Sequence, residues 1–166
     1  MALTLGALAR ALHPAKDARH LGHLVPQLAP GACNPDGWRR FGLDDAAVFA
    51  SYRALRRAGH DAELARFLVA SNAFRFALRG FMGLPGVLAS AAAWRAHLDA
   101  TRPYLCAAYR AEGSEDEAER GFRGRIAIRP QSRIADALGE LGENEHSLAF
   151  DLHAPLAALA PLIPEG

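Results

Sequence analysis

The chain has little of what common reaction chemistries leave in a sequence. Its two cysteines, Cys33 and Cys106, stand far apart with no C-x-x-C spacing, which excludes a disulfide framework and a cysteine-built zinc site. No G-x-S-x-G elbow and no G-x-x-x-x-G-K-[ST] loop occurs, so α/β-hydrolase and P-loop chemistry are unsupported. No stretch reaches the ~20 apolar residues of a membrane-spanning helix. The start, MALTLGALARALH, lacks the basic residues, sustained apolar run and cleavage pattern of an export signal, and the expected compartment is the cytoplasm. An excess of one charge sign is missing too. With 19 basic and 18 acidic residues the formal net charge is +1, which argues against a dedicated polybasic nucleic-acid binder.

Lysine is nearly absent. Lys16 is the only one, and every other basic residue is arginine. Alanine and leucine are abundant, and the bias fits a high-GC bacterial genome. A single arginine therefore carries little functional weight by itself.

What is present is the composition of a globular protein, 51% hydrophobic and 22% charged over 166 residues. A chain this long buries about 70% of its unfolded surface and needs no staple. One domain spanning 1–166 is expected, with a helical part to about residue 100, a sheet-containing part over 103–153 and an apolar tail over 154–166.

Leu5, Leu8 and Leu12 predict a first helix, ended at His13-Pro14. Pro14 suits the start of a second, with Leu21, Leu24, Val25 and Leu28 on one face. Asp44 or Asp45 is placed to cap a third that runs to about Ala58, before Gly59. Asp61 caps the next, over about 61–80, which is the most apolar in the chain. Leu64, Phe67, Phe74, Leu78 and Phe81 form its main stripe, and Ala65, Val69, Ala73 and Phe76 a second. Greasy on two sides, it is expected to be the central, most buried helix. Gly80 to Gly86 interrupts it, and Pro85 is expected to start another helix to about Ala100.

After Pro103 the grammar changes. Residues 104–111 fit helix or strand. Residues 122–129 alternate Phe122, Gly124, Ile126 and Ile128 against arginines, and 146–152 alternate Leu148, Phe150 and Leu152. Both read as strands with one buried face. The acidic stretch between the first two segments reads as a long hairpin tip, and 133–141 as a short helix. Helices first and strands afterwards define an α+β protein with a small, mostly antiparallel sheet. That order resembles several bacterial ligand-sensing modules, a likeness of architecture that carries no site residues.

Three constellations hold chemistry. Asn72, Arg75 and Arg79 share one narrow helical sector at ~100° per residue, flanked by Phe76. Gly83 and Gly86 adjoin the start of the Pro85 helix, whose free N–H groups would favour an anion. A cleft here, with Phe76 and Trp94 as apolar walls, would hold an anionic, amphipathic small molecule. Second, Asp17, His20 and His23 lie on successive turns, so that a metal ion is the alternative reading, with His13 and Cys33 as further ligands. No other cofactor is expected. Third, Trp38 with Arg39 and Arg40, and Arg53 with Arg56 and Arg57, make local basic clusters, and nucleic acid ranks last as a partner. Cys106 reads as an inert buried thiol. His146, Asp151 and His153 do not share one strand face, which spoils an acid–base cluster. Leu156, Leu159, Leu162 and Ile163 make the tail greasy enough to dock on a second copy or fold back, and a homodimer is expected. The reading is a non-catalytic binding or sensing module for a small molecule or protein partner.

Overall fold

The computed structural model describes residues 3–12, 22–30, 40–112, 121–141 and 146–164. Helices come first: α1 Leu5–Leu12, α2 Val25–Leu28, α3 Leu43–Arg57, α4 Ala62–Ala70, α5 Asn72–Met82 and α6 Ala91–Thr101. They are followed by β1 Pro103–Glu112, β2 Gly121–Pro130, α7 Ile134–Glu140, β3 His146–Asp151 and α8 His153–Ala157. The three strands form one antiparallel sheet in the order β2-β1-β3. This is the α+β architecture read from the sequence.

The helix at the centre is α3, and the expectation for 61–80 is corrected. Ala46, Ala47, Val48, Phe49, Ala50, Ser51, Tyr52 and Leu55 are all buried, and α1, α2, α4, α5 and α8 pack around them. Its alanines let neighbouring backbones come close, at little cost in helix propensity. Gly59, in the left-handed region at φ 91°, ends the turn beyond it.

The segment 61–80 is two helices. Ser71 turns extended (ψ 149°), closing α4 and capping α5, where its Oγ accepts from the Phe74 N–H at 3.2 Å. A serine oxygen offered to the backbone stabilises that break by about 1 kcal/mol. The break resets the helical phase. Phe74, Leu78 and Met82 line the inner face of α5, while Ala73 and Phe76 turn outward.

Pro85 starts no helix. Residues 83–90 are turns, and α6 begins at Ala91, capped by Ser90, whose Oγ accepts from the Ala93 N–H at 3.1 Å. Trp94 of α6 is fully buried and donates from Nε1 to the Leu156 carbonyl at 2.8 Å. That bond ties the tail to the helical layer. The second predicted helix is described only as α2, a single turn around Pro26; 13–21 and most of the predicted 30–37 loop lie outside the described residues.

Strand β1 settles the segment 104–111. Leu105, Ala107 and Tyr109 face the helices, in register with Ile128, Ile126 and Gly124 on one side and Phe150, Leu148 and His146 on the other. Cys106, Ala108 and Ala127 face the opposite way and are covered by Ala137 and Leu141. A strand buried on both faces loses the period-2 signal, and Ala127 breaks the alternation of β2 because α7 lies over it. A β-carbon at Gly124 would stand 2.7 Å from the Cα of Tyr109, so only glycine fits there. The hairpin tip, 113–120, lies outside the described residues.

The tail folds back. Leu156, Leu159, Leu162 and Ile163 are buried in their own chain, beside α3 and α6. The surface on which a homodimer was expected is consumed by the monomer's core.

Candidate functional site

The predicted arginine cluster is built where α5 crosses the start of α3. The Gly42 N–H donates to Asp45 Oδ2 at 2.9 Å, so Asp45 reaches back over the first turn of α3, and Asp44 lies beside it. Two carboxylates there meet the positive end of the helix dipole. Across from them Arg75 donates through one Nη to Asp45 Oδ1 at 2.7 Å, lies 3.7 Å from Asp44 Oδ2, and donates through the other Nη to the Leu28 carbonyl. Arg79 donates from Nε at 3.0 Å and Nη at 2.7 Å to Asp44 Oδ2, and that bond raises its pKa further. Arg75 is 15% exposed and Arg79 68%.

These groups line a concavity of about 320 Å³ with Ala29, Pro30 and Asn72. Asn72, Arg75 and Arg79 are thus brought together as the helical sector implied. The other proposed ligand contacts are elsewhere. Trp94 is in the core, Gly83 and Gly86 are exposed in the turns after α5, and Phe76 projects from its outer side. No helix N-terminus stands at Gly83–Gly86, because α6 starts at Ala91. Asp44 and Asp45 are the partners that sequence reasoning missed. Their position at a helix start points to capping, but a carboxylate pair opening a helix is a signal for cations as much as for backbone N–H groups. Both guanidinium groups are already answered by carboxylates, so an incoming anion would meet the negative charge of Asp44 and Asp45 as well.

Of the metal set, Asp17 and His20 lie outside the described residues, as do His13 and Cys33, and His23 is exposed. Among the described residues no group of three His, Cys, Asp or Glu side chains is gathered to hold a metal ion. Of the basic clusters, Trp38 and Arg39 lie outside the described residues. Arg53 donates to the Leu12 carbonyl, and burial, with the Arg57 charge adding, pushes its pKa down to about 10. Arg56 donates to the His60 carbonyl at 2.7 Å. These two arginines hold helix ends together.

His153 opens α8 and does not continue the strand. Its Nε2 stands 2.7 Å from Asp99 Oδ1 of α6, while His146 packs its ring 5.4 Å from that of Tyr109. Cys106 is fully buried, and burial pushes its thiol pKa up, against nucleophilic use. A shallower concavity of about 280 Å³ lies between Glu63, Arg66 and Phe67 of α4 and Gly121 and Phe122 of β2.

The feature that the core does not explain is the outer face of α5. Phe76 is 82% exposed and Leu84, just beyond the helix, 49%. Asn72, Ala73, Gly80 and Gly83 are exposed around them. The inner face of the same helix is spent on α3, α4 and β2.

The chain matches no protein-family model, no curated protein and no solved structure. Among the described residues no helix is long and apolar enough to cross a membrane.

Proposed function

We propose that the protein is a non-catalytic binding module that docks a protein partner through the outer face of α5. The supporting observation is Phe76, 82% exposed on a helix whose other side is already packed. A phenylalanine in water forgoes about 1.5–3 kcal/mol that burial would return. Aromatic side chains in such positions are the anchors of protein interfaces. Arg79 and Asp44, paired beside it, form a polar rim whose charges are mutually neutralised. A protein partner fits this surface better than an anionic small molecule, because Asp44 and Asp45 already hold the guanidinium groups. The free, buried thiol of Cys106 suits a reducing compartment, and the cytoplasm is the location we assign.

The test is photo-cross-linking in the producing cells, with a benzophenone side chain at position 76 in place of Phe76. A discrete adduct is expected there, and none from the same probe at Ala135, on the exposed side of α7. No adduct at 76, or the same products from both positions, refutes the docking face.

A further inference from the structure

We propose that His97 is a proton-operated latch between α5 and α6. Its protonation releases Phe81 and frees the end of α5 with the turns at 83–90, while the rest of the fold stays closed. The latch follows from what each helix touches. α6 packs along α8 and the turn at 160–162, and Trp94 fastens it to the tail through the Leu156 carbonyl. Towards α5 it presents a cluster of rings. The Phe81 ring lies 4.6 Å from that of His97 and 6.0 Å from that of Trp94. The segment that would open is lightly built: Gly83, Leu84, Pro85 and Gly86 are exposed, and Gly86 sits in the left-handed region at φ 79°.

Nε2 of His97 is enclosed and has no hydrogen-bond partner among the described residues. A neutral imidazole tolerates this, with its proton on Nδ1 and a bare lone pair on Nε2. An imidazolium does not. Both nitrogens then carry N–H groups, and one charged donor is shut among aromatic carbons with nothing to accept it. The ring faces attract a cation weakly, and that return is smaller than the cost of an unpaired buried charge. The His97 ring is half-buried, so a change of rotamer brings Nε2 to water and withdraws the ring from Phe81. Neighbouring charges do not rescue the closed form. Arg75 and Arg79 of α5 are answered by Asp45 and Asp44, and His153 of α8 stands 2.7 Å from Asp99. Arg95 and Arg102 are exposed, and residues 83–90 and 160–162 carry no charged side chain. Burial alone displaces the pKa of the ring, downward.

Amide exchange of the full chain tests the latch, read segment by segment by mass spectrometry at about pH 7.5 and about pH 5 and corrected for the intrinsic pH dependence of exchange. The expected result is a loss of protection of about tenfold at the lower pH, confined to residues 79–90. It should vanish in His97→Phe, which keeps a ring beside Phe81 without a titrating nitrogen, and persist in His153→Gln. His97→Met is a second non-titrating variant that guards against a packing fault peculiar to phenylalanine. The Cε1–H resonance of His97 should titrate below about pH 6.5, together with the opening. Unchanged protection at 79–90 overturns the proposal, as does an opening that survives in both His97 variants. A loss that spreads equally to α3 and β1 overturns it too, because that is acid unfolding of the whole domain. So does a His97 midpoint at or above the ordinary histidine value.

Discussion

The commitment of Arg75 to the start of α3 is measurable as a coupling energy. Arg75 and Asp45 meet at 2.7 Å with 15% and 16% of their side chains exposed. With charge centres about 4 Å apart, Coulomb attraction at an effective dielectric near 20 is about 4 kcal/mol. Loss of hydration takes back part of that, and exposed pairs retain only about 0–1 kcal/mol. A mostly covered pair in which Arg75 makes a second hydrogen bond, to the Leu28 carbonyl, belongs between those limits. We expect a coupling of about 1.5–2.5 kcal/mol from the cycle Asp45→Asn, Arg75→Met and the double variant. Asp45→Asn alone is expected to cost about 2–3 kcal/mol, because it strips charge from the helix start and leaves Arg75 with Asp44 only. Urea denaturation supplies each free energy, provided the slope with denaturant stays constant across the four proteins. A coupling under about 0.5 kcal/mol would refute the reasoning. Arg75 would then be free for an incoming anion, and the small-molecule reading of the concavity would regain its ground.

Three other outcomes test the fold. Trp94→Phe removes one of two hydrogen bonds to the Leu156 carbonyl, leaving that from the Leu159 N–H at 3.1 Å, and opens a void, and a loss of about 1–3 kcal/mol is expected in chemical denaturation; a loss under about 0.5 kcal/mol would mean the tail is not held there. Ser51→Ala removes a buried hydroxyl that has no hydrogen-bond partner among the described residues, so stability should rise by about 1 kcal/mol, and a fall would reveal an unrecognised partner. His97 lies against Phe81 and Trp94, and burial lowers its pKa. On acidification the unfolded chain therefore takes up that proton first, and the stability contribution is lost as pH falls from about 6.5 towards the lower folded value. His97→Phe should flatten this part of a Tm-against-pH curve, and an unchanged curve would assign the dependence to another group.

Local chemistry was legible in the sequence wherever a residue acts on its own neighbours. Asp61 accepts from the Glu63 and Leu64 N–H groups, Gly59 closes a helix at positive φ, and Pro103 opens the sheet, each as the side chain alone dictates. The strands at 122–129 and 146–151 were legible because large apolar side chains recur at every second position, Ile126 and Ile128 in one and Leu148 and Phe150 in the other. Four things waited for tertiary structure. Ala46, Ala47 and Ala50 of α3 carry a weak hydrophobic signal but are buried, so periodicity points to the element after the true central helix. The break at Ser71 depends on the sheet, which takes Phe67, whose ring meets Tyr109 and Phe122, while Phe74 in the new phase enters the core. Arg75 and Arg79 advertised an anion, and the anion was Asp44 and Asp45, some thirty residues earlier in the chain. Phe76 reads as core in any periodicity. Only the packing of α3, α4 and β2 onto the opposite side of its helix leaves it facing water, because a sequence records that a side chain avoids water and not which neighbours arrive to cover it.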